Sequence, residues 1–182
     1  MVSRRSGPES LAALVEAFHR QPGLSRLRTV LVAAARAGKR TEVRAHLIER
    51  LEADAACDPR CLYRLYLEDG QDLRAAQTAR CLGDPGSLIE VAEATVSRFR
   101  ILALQLYLEA ADRLARQGRR PAYARAAAVL CRLREATAGD EGAWHVLIRG
   151  FAVQQRWRRG LGQEMIRAGL DPADLPFSAA GP

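Results

Sequence analysis

Apolar residues in this chain recur every three or four positions and almost never alternate. Leu11, Leu14, Val15 and Phe18 form one stripe, Leu24, Leu27, Val30, Leu31 and Ala34 a second, and Val43, Leu47, Ile48 and Leu51 a third. Such spacing puts a continuous apolar face on an α-helix. Further stripes are Leu62, Leu65, Tyr66 and Leu67, then Leu73 to Ala79, then Leu88, Ile89, Val91 and Ala92. The breaks between them carry turn chemistry: Pro22-Gly23, Gly38, Asp69-Gly70 and Gly83-Asp84-Pro85-Gly86. Helix starts are predicted at Pro8 with Glu9 in the first turn, near Thr41, at Asp58-Pro59 and at Asp72.

The chain is organised around Arg98–Arg134, which reads as a helical hairpin. In its first arm Phe99, Leu102, Leu106, Ala110 and Leu114 hold one face, and Ile101, Leu104, Leu108 and Ala111 a neighbouring one. Two adjacent apolar faces predict burial around most of the circumference, with Leu104 in the core. Gly118 ends this arm and Pro121 starts the next, whose stripe is Tyr123, Ala127, Leu130 and Leu133. A loop over Thr137–Gly142 precedes a last helical region with Trp144, Leu147, Ile148 and Phe151, then Trp157, Leu161, Met165 and Ile166. Residues 1–8 read as a polar leader, 9–170 as one helical domain, and 171–182 as a loose tail with three prolines.

Gly38, Gly70, Gly118 and Gly160 each fall where a helix is expected to end, at intervals of 32, 48 and 42 residues. Helix–turn–helix repeats have periods of about 34 to 47 residues. The expected architecture is therefore all-α, a right-handed α-solenoid of degenerate tetratricopeptide-like repeats. The extra helix after Pro85 lengthens the middle interval.

Composition agrees. Alanine, leucine and arginine, all strong helix formers, dominate, and 48% of the 182 residues are apolar. The net charge is +7, and Lys39 is the only lysine. The arginines are spread over nearly every predicted helix, which suits solvated faces better than one nucleic-acid footprint. No secretory leader is read at the start, where Glu16 and His19 interrupt the apolar residues, and no apolar run reaches the roughly 18–20 residues that span a bilayer. A cytoplasmic protein with reduced thiols at Cys57, Cys61, Cys81 and Cys131 is expected.

Candidate chemistry is sparse. Cys57-x3-Cys61 is one close pair where structural zinc usually takes two, so buried helix cysteines are expected and no metal site. His19, His46 and His145 lie on separate predicted helices, and no nucleophile elbow or acidic pair stands out. No catalytic residue and no cofactor is assigned. Gly160-Leu161-Gly162 has no preceding strand and reads as a helix break instead of a phosphate loop. The remaining candidate is a binding surface of Arg149, Arg156, Trp157, Arg158 and Arg159, near Trp144, Phe151 and Arg167. Arginines among exposed aromatics bind single-stranded nucleic acid; arginines around core aromatics only rim a hydrophobic centre.

From Leu62 onward the order of motifs is similar to a known one. It comprises Leu65-Tyr66-Leu67-Glu68-Asp69-Gly70, the helix over Leu88–Glu93, Leu106-Tyr107, Arg119-Arg120-Pro121-Ala122-Tyr123 with Ala126, Ala127, Leu130 and Leu133-Arg134, and the basic Arg156-Trp157-Arg158-Arg159. Over about 100 residues this resembles the tetratricopeptide-like helical C-terminal region of bacterial SWIM zinc-finger proteins. The Cys-x-Cys and Cys-x-His zinc signature is absent, so no zinc or DNA-binding residue carries over. The resemblance implies a helical-repeat scaffold without enzymatic activity. A protein partner or self-association is expected, with nucleic-acid binding as the alternative and no membrane.

Overall fold

A computed structural model describes residues 10–54, 58–155 and 159–175. Among these residues the chain is all-helical, without strands. The elements are α1 (Leu11–Arg20), α2 (Leu24–Arg36), α3 (Arg40–Ala53), α4 (Pro59–Glu68), α5 (Asp72–Leu82), α6 (Pro85–Thr95), α7 (Arg100–Arg116), α8 (Arg120–Ala136), α9 (Glu141–Gln154) and α10 (Arg159–Arg167). A 3-10 turn, Pro172–Asp174, follows.

Local chemistry sets the helix ends. The side chains of Ser10, Asp58, Asp84 and Asp140 accept from orphan backbone N–H groups of α1, α4, α6 and α9, those of Asp58 and Asp84 beside prolines at the first helical position. At the other ends, Gly38, Gly70 and Gly118 adopt φ of 69°, 73° and 69°, where a side chain would strain the backbone. After two of them the chain turns back alike: the Lys39 N–H donates to Ala34 O at 2.9 Å, and that of Gln71 to Tyr66 O at 2.8 Å. Each bond satisfies a carbonyl that the helix end leaves open. The result is three helix–glycine–helix pairs, α2/α3, α4/α5 and α7/α8.

Several expected boundaries move. The start at Pro8 and the leader 1–8 lie outside the described residues, and α1 begins after Ser10. Lys39, not Thr41, occupies the cap position of α3. Gly160 does not end a helix; it is the second residue of α10. A Cβ there would meet the Tyr123 ring at 3.2 Å, so this glycine lets α10 approach α8 closely. Up to residue 175 the chain is still anchored, with Leu170 and Leu175 buried on either side of the 3-10 turn that Asp171 caps; the rest of the expected tail lies outside the described residues.

The sequence reading draws one domain over 9–170; the structure groups the chain into two units, residues 1–82 and 83–182. In the first, helices pack largely on their sequence neighbours, from α1 on α2 through α4 on α5. Phe18, Leu47 and Leu65 are fully buried there. In the second, α7 packs against α6, α8 and α9, and α8 against α10. The buried face of α7 is Leu102, Ala103, Leu106, Tyr107, Ala110, Ala111, Leu114 and Ala115.

The expected second buried face of α7 is only partly covered. Ile101 is 76% exposed and Leu104 and Leu108 are half-buried, while Ala111 is fully buried; Phe99, expected on the first face, precedes the helix and is 50% exposed. The reason is packing: α9 meets α7 lightly and leaves that flank open. Leu104 is therefore not the core residue of this arm; Leu106 and Leu114 are. Leu106→Ala is expected to cost about 2–5 kcal/mol in urea unfolding, as a fully buried large-to-small change does. Ile101→Ala should stay within about 0.5 kcal/mol of the parent, as an exposed position does.

Candidate functional site

The open flank of α7 faces α9 across a groove of about 440 Å³. From α7 it is lined by Gln105, Leu108, Glu109, Asp112 and Arg116, which share one helical face. From α9 it is lined by Val146, Leu147, Gly150, Phe151 and Gln154. Leu108, Leu147 and the buried Phe151 supply apolar surface, and Glu109, Asp112 and Arg116 are the charged groups of the α7 wall. Asp112 is fixed in place: it pairs with Arg116 Nε at 2.9 Å and accepts from Gln155 Nε2.

The α9 side carries an unusual residue choice. Trp144, Ile148 and Phe151 form its buried stripe, whereas Val146, Gly150 and Val153 repeat the same spacing about 200° around the helix, two residues later. Val146 is 71% exposed and Val153 77%. Gly150 sits in the helix interior, where glycine costs roughly 0.5–1 kcal/mol relative to alanine. Among the described residues nothing lies within 4 Å of a Cβ built there, so no contact among them requires the missing side chain. The sequence reading did not single out this exposed edge; its signal was a second apolar repeat displaced from the tryptophan stripe.

The predicted arginine surface is placed only in part. Arg149 is exposed on α9, and Arg159 is exposed at the start of α10. Arg156, Trp157 and Arg158 lie outside the described residues. The neighbouring aromatics are core: Trp144 is fully buried and Phe151 is 5% exposed. Arg134 lies over the Trp144 ring, 5.4 Å from its centroid. Neither aromatic offers a face on which a base can stack. Arg167 pairs with Glu164, which also accepts from Arg120 Nε at 3.1 Å. The Arg120 hydrogen bond is the main reason the Glu164 carboxyl titrates below its ordinary range.

The N-terminal unit brings together two histidines that the sequence reading assigned to separate helices. His19 of α1 and His46 of α3 have ring centroids 5.4 Å apart, in a cleft also lined by Glu16 and Arg50. The 26 residues between them gave no periodic signal, because the pairing depends on how α1, α2 and α3 stack. His19 Nε2 is buried without a hydrogen-bond partner among the described residues. Burial, then His46, then Arg50 push the His19 pKa below its ordinary value; Glu16 opposes them.

Other titratable groups show no nucleophile. Cys61 is buried, Cys81 exposed, and Cys57 lies outside the described residues. The half-buried Cys131 points its thiol at Ala168 O, and burial raises its pKa, which favours the thiol over the reactive thiolate. Among the described residues no group of three or more His, Cys, Asp or Glu side chains is placed to hold a metal ion. No described helix is long and apolar enough to cross a membrane.

The lowered His19 pKa sets the sign of a pH effect. Below a pH of about 6.5 the unfolded chain protonates His19 while the folded chain holds it neutral. The stabilisation is present above that pH and is lost as pH falls toward the folded-state value. Thermal melts should show stability dropping as pH falls below about 6.5, and His19→Gln should flatten that dependence. An unchanged pH profile in the variant would exclude His19 as the source.

No family model matches this chain, and no curated protein or solved structure matches it.

Proposed function

We propose that this chain is a non-catalytic helical-repeat scaffold that binds a protein through the α7/α9 groove. Its helix–glycine–helix pairs act as degenerate tetratricopeptide-like repeats of a right-handed α-solenoid, and it works in the cytoplasm. One observation carries the reading. Gly150 lies in a helix interior, lines a half-apolar groove, and has no neighbour among the described residues that needs its small size. Glycine there lets another backbone approach α9 closely, between the exposed Val146 and Val153. Grooves between two helices take a third helix through such an edge.

The second reading, binding of nucleic acid, is favoured by the net charge of +7 and by exposed Arg149 and Arg159, neither in an ion pair among the described residues. It loses Trp144 and Phe151 as stacking surfaces. Retention on RNA or DNA that vanishes steeply as salt rises would support it.

The groove makes an opposed pair of outcomes. Gly150→Ala should stabilise the folded chain by roughly 0.5–1 kcal/mol, because it removes an interior glycine without a clash. The same change, or Val146→Asp, should weaken recovery of a protein partner, another copy included, in pull-downs from the native host. Gly160→Ala should bring no such gain, since its Cβ meets Tyr123. Recovery undiminished in the Val146→Asp variant would remove the groove as the binding surface. A strictly monomeric chain that recovers no partner would remove the reading altogether.

A further inference from the structure

The N-terminal unit carries a second groove, between α1 and α2, of about 780 Å³. Leu11 and Leu14 of α1 and Val32 and Ala33 of α2 supply its apolar surface, and Val32 is 45% exposed. The charged residues that line it are Arg28 and Arg36, one turn to either side of Val32. Both are exposed, and neither takes part in a hydrogen bond or ion pair among the described residues. Other arginines of the same unit are answered: Arg40 pairs with Glu68 at 2.8 Å, Arg44 with Asp69 at 2.6 Å and Arg74 with Glu52 at 2.9 Å. Neither helix of the groove supplies a carboxylate to Arg28 or Arg36. α2 has no acidic residue, and the single one of α1, Glu16, lines a different cleft with His19 and His46.

A cleft between two helices with an apolar floor takes a third helix by its apolar face. Arg28 and Arg36 are eight residues apart on α2, about 12 Å along the axis at 1.5 Å per residue. A helix laid along α2 matches that span with two acidic residues seven or eight positions apart. We propose that the α1/α2 groove is a docking site for an acidic amphipathic helix of another protein. The apolar stripe of that helix covers Val32 and the two leucines of α1, and its acidic pair meets the two guanidinium groups, each able to take a carboxylate through two parallel N–H donors. The ends of this chain do not supply the acidic pair: residues 1–9 carry Arg4 and Arg5 against Glu9 alone, and residues 176–182 carry no acidic side chain. A protein is favoured over nucleic acid because no aromatic residue lines the floor for a base to stack on. The site lies wholly within the N-terminal unit and uses no residue of the α7/α9 groove, so the two surfaces are tested separately.

Selection of a displayed library of random helical peptides on the full chain tests this. Enriched peptides should carry apolar residues at three- and four-residue spacing and two acidic residues seven or eight positions apart. Synthesised with a fluorophore, they should bind the chain in anisotropy titrations, and added salt should weaken the binding. Arg28→Glu with Arg36→Glu should weaken it by more than about tenfold. Lysine in place of the two acidic residues of the peptide should restore binding to that variant and abolish binding to the parent chain. If the charge reversal disturbs folding by circular dichroism, Arg28→Gln with Arg36→Gln replaces it, with affinity expected about tenfold lower.

Three results would overturn the proposal: no enriched peptide, enriched peptides without the acidic pair, or acidic peptides that bind the double variant as tightly as the parent. Other occupants would overturn it too. Single-stranded RNA, or vesicles of phosphatidylglycerol, held through Arg28 and Arg36 by a chain that binds no acidic peptide would assign the groove to that ligand instead. Self-association that the double variant abolishes, seen by sedimentation velocity, would assign it to a second copy.

Discussion

Close approach of alanine-rich helix faces is the constraint on which the C-terminal unit depends. Ala103, Ala110, Ala111 and Ala115 of α7 and Ala126 and Ala127 of α8 have no exposed surface. Small side chains let two helix axes come near, and Leu106, Leu114, Leu130 and Leu133 on the same two helices are fully buried. None of these helices exceeds 17 residues, and isolated helices of that length are marginal in water. The helices persist because their neighbours cover them. The same small faces leave little margin, since a larger residue at Ala110 or Ala126 would push α7 and α8 apart and open the leucine layer.

The helices and most of their ends were legible in the sequence because both are decided locally. A 3.6-residue stripe is a property of ten to seventeen neighbouring residues. A cap such as Asp58-Pro59 or Asp84-Pro85 is a property of three or four. The glycine ends at Gly38, Gly70 and Gly118 were legible for the same reason. Gly160 was misread because the same residue type serves two needs. At a helix end it supplies positive φ; at Gly160 it makes room for Tyr123 of another helix, and no local pattern separates the two.

What depended on tertiary packing was not legible. Leu104 and Ile101 continue an apolar pattern, and only the light packing of α9 on α7 leaves them half-covered or exposed. The His19–His46 contact and the α7/α9 groove likewise arise from residues far apart in the chain. The arginine surface shows the converse limit. Sequence grouped the arginines with Trp144 and Phe151, yet could not tell that those aromatics are buried.

Arginine supplies almost all of the positive charge, and this has a chemical consequence. Guanidinium groups do not undergo the acylation that lysine amines do. Lys39, exposed at the turn between α2 and α3, is the one side chain where acetylation or ubiquitin-type conjugation can act. Such control would reach the N-terminal unit while leaving the lysine-free α7/α9 groove chemically untouched.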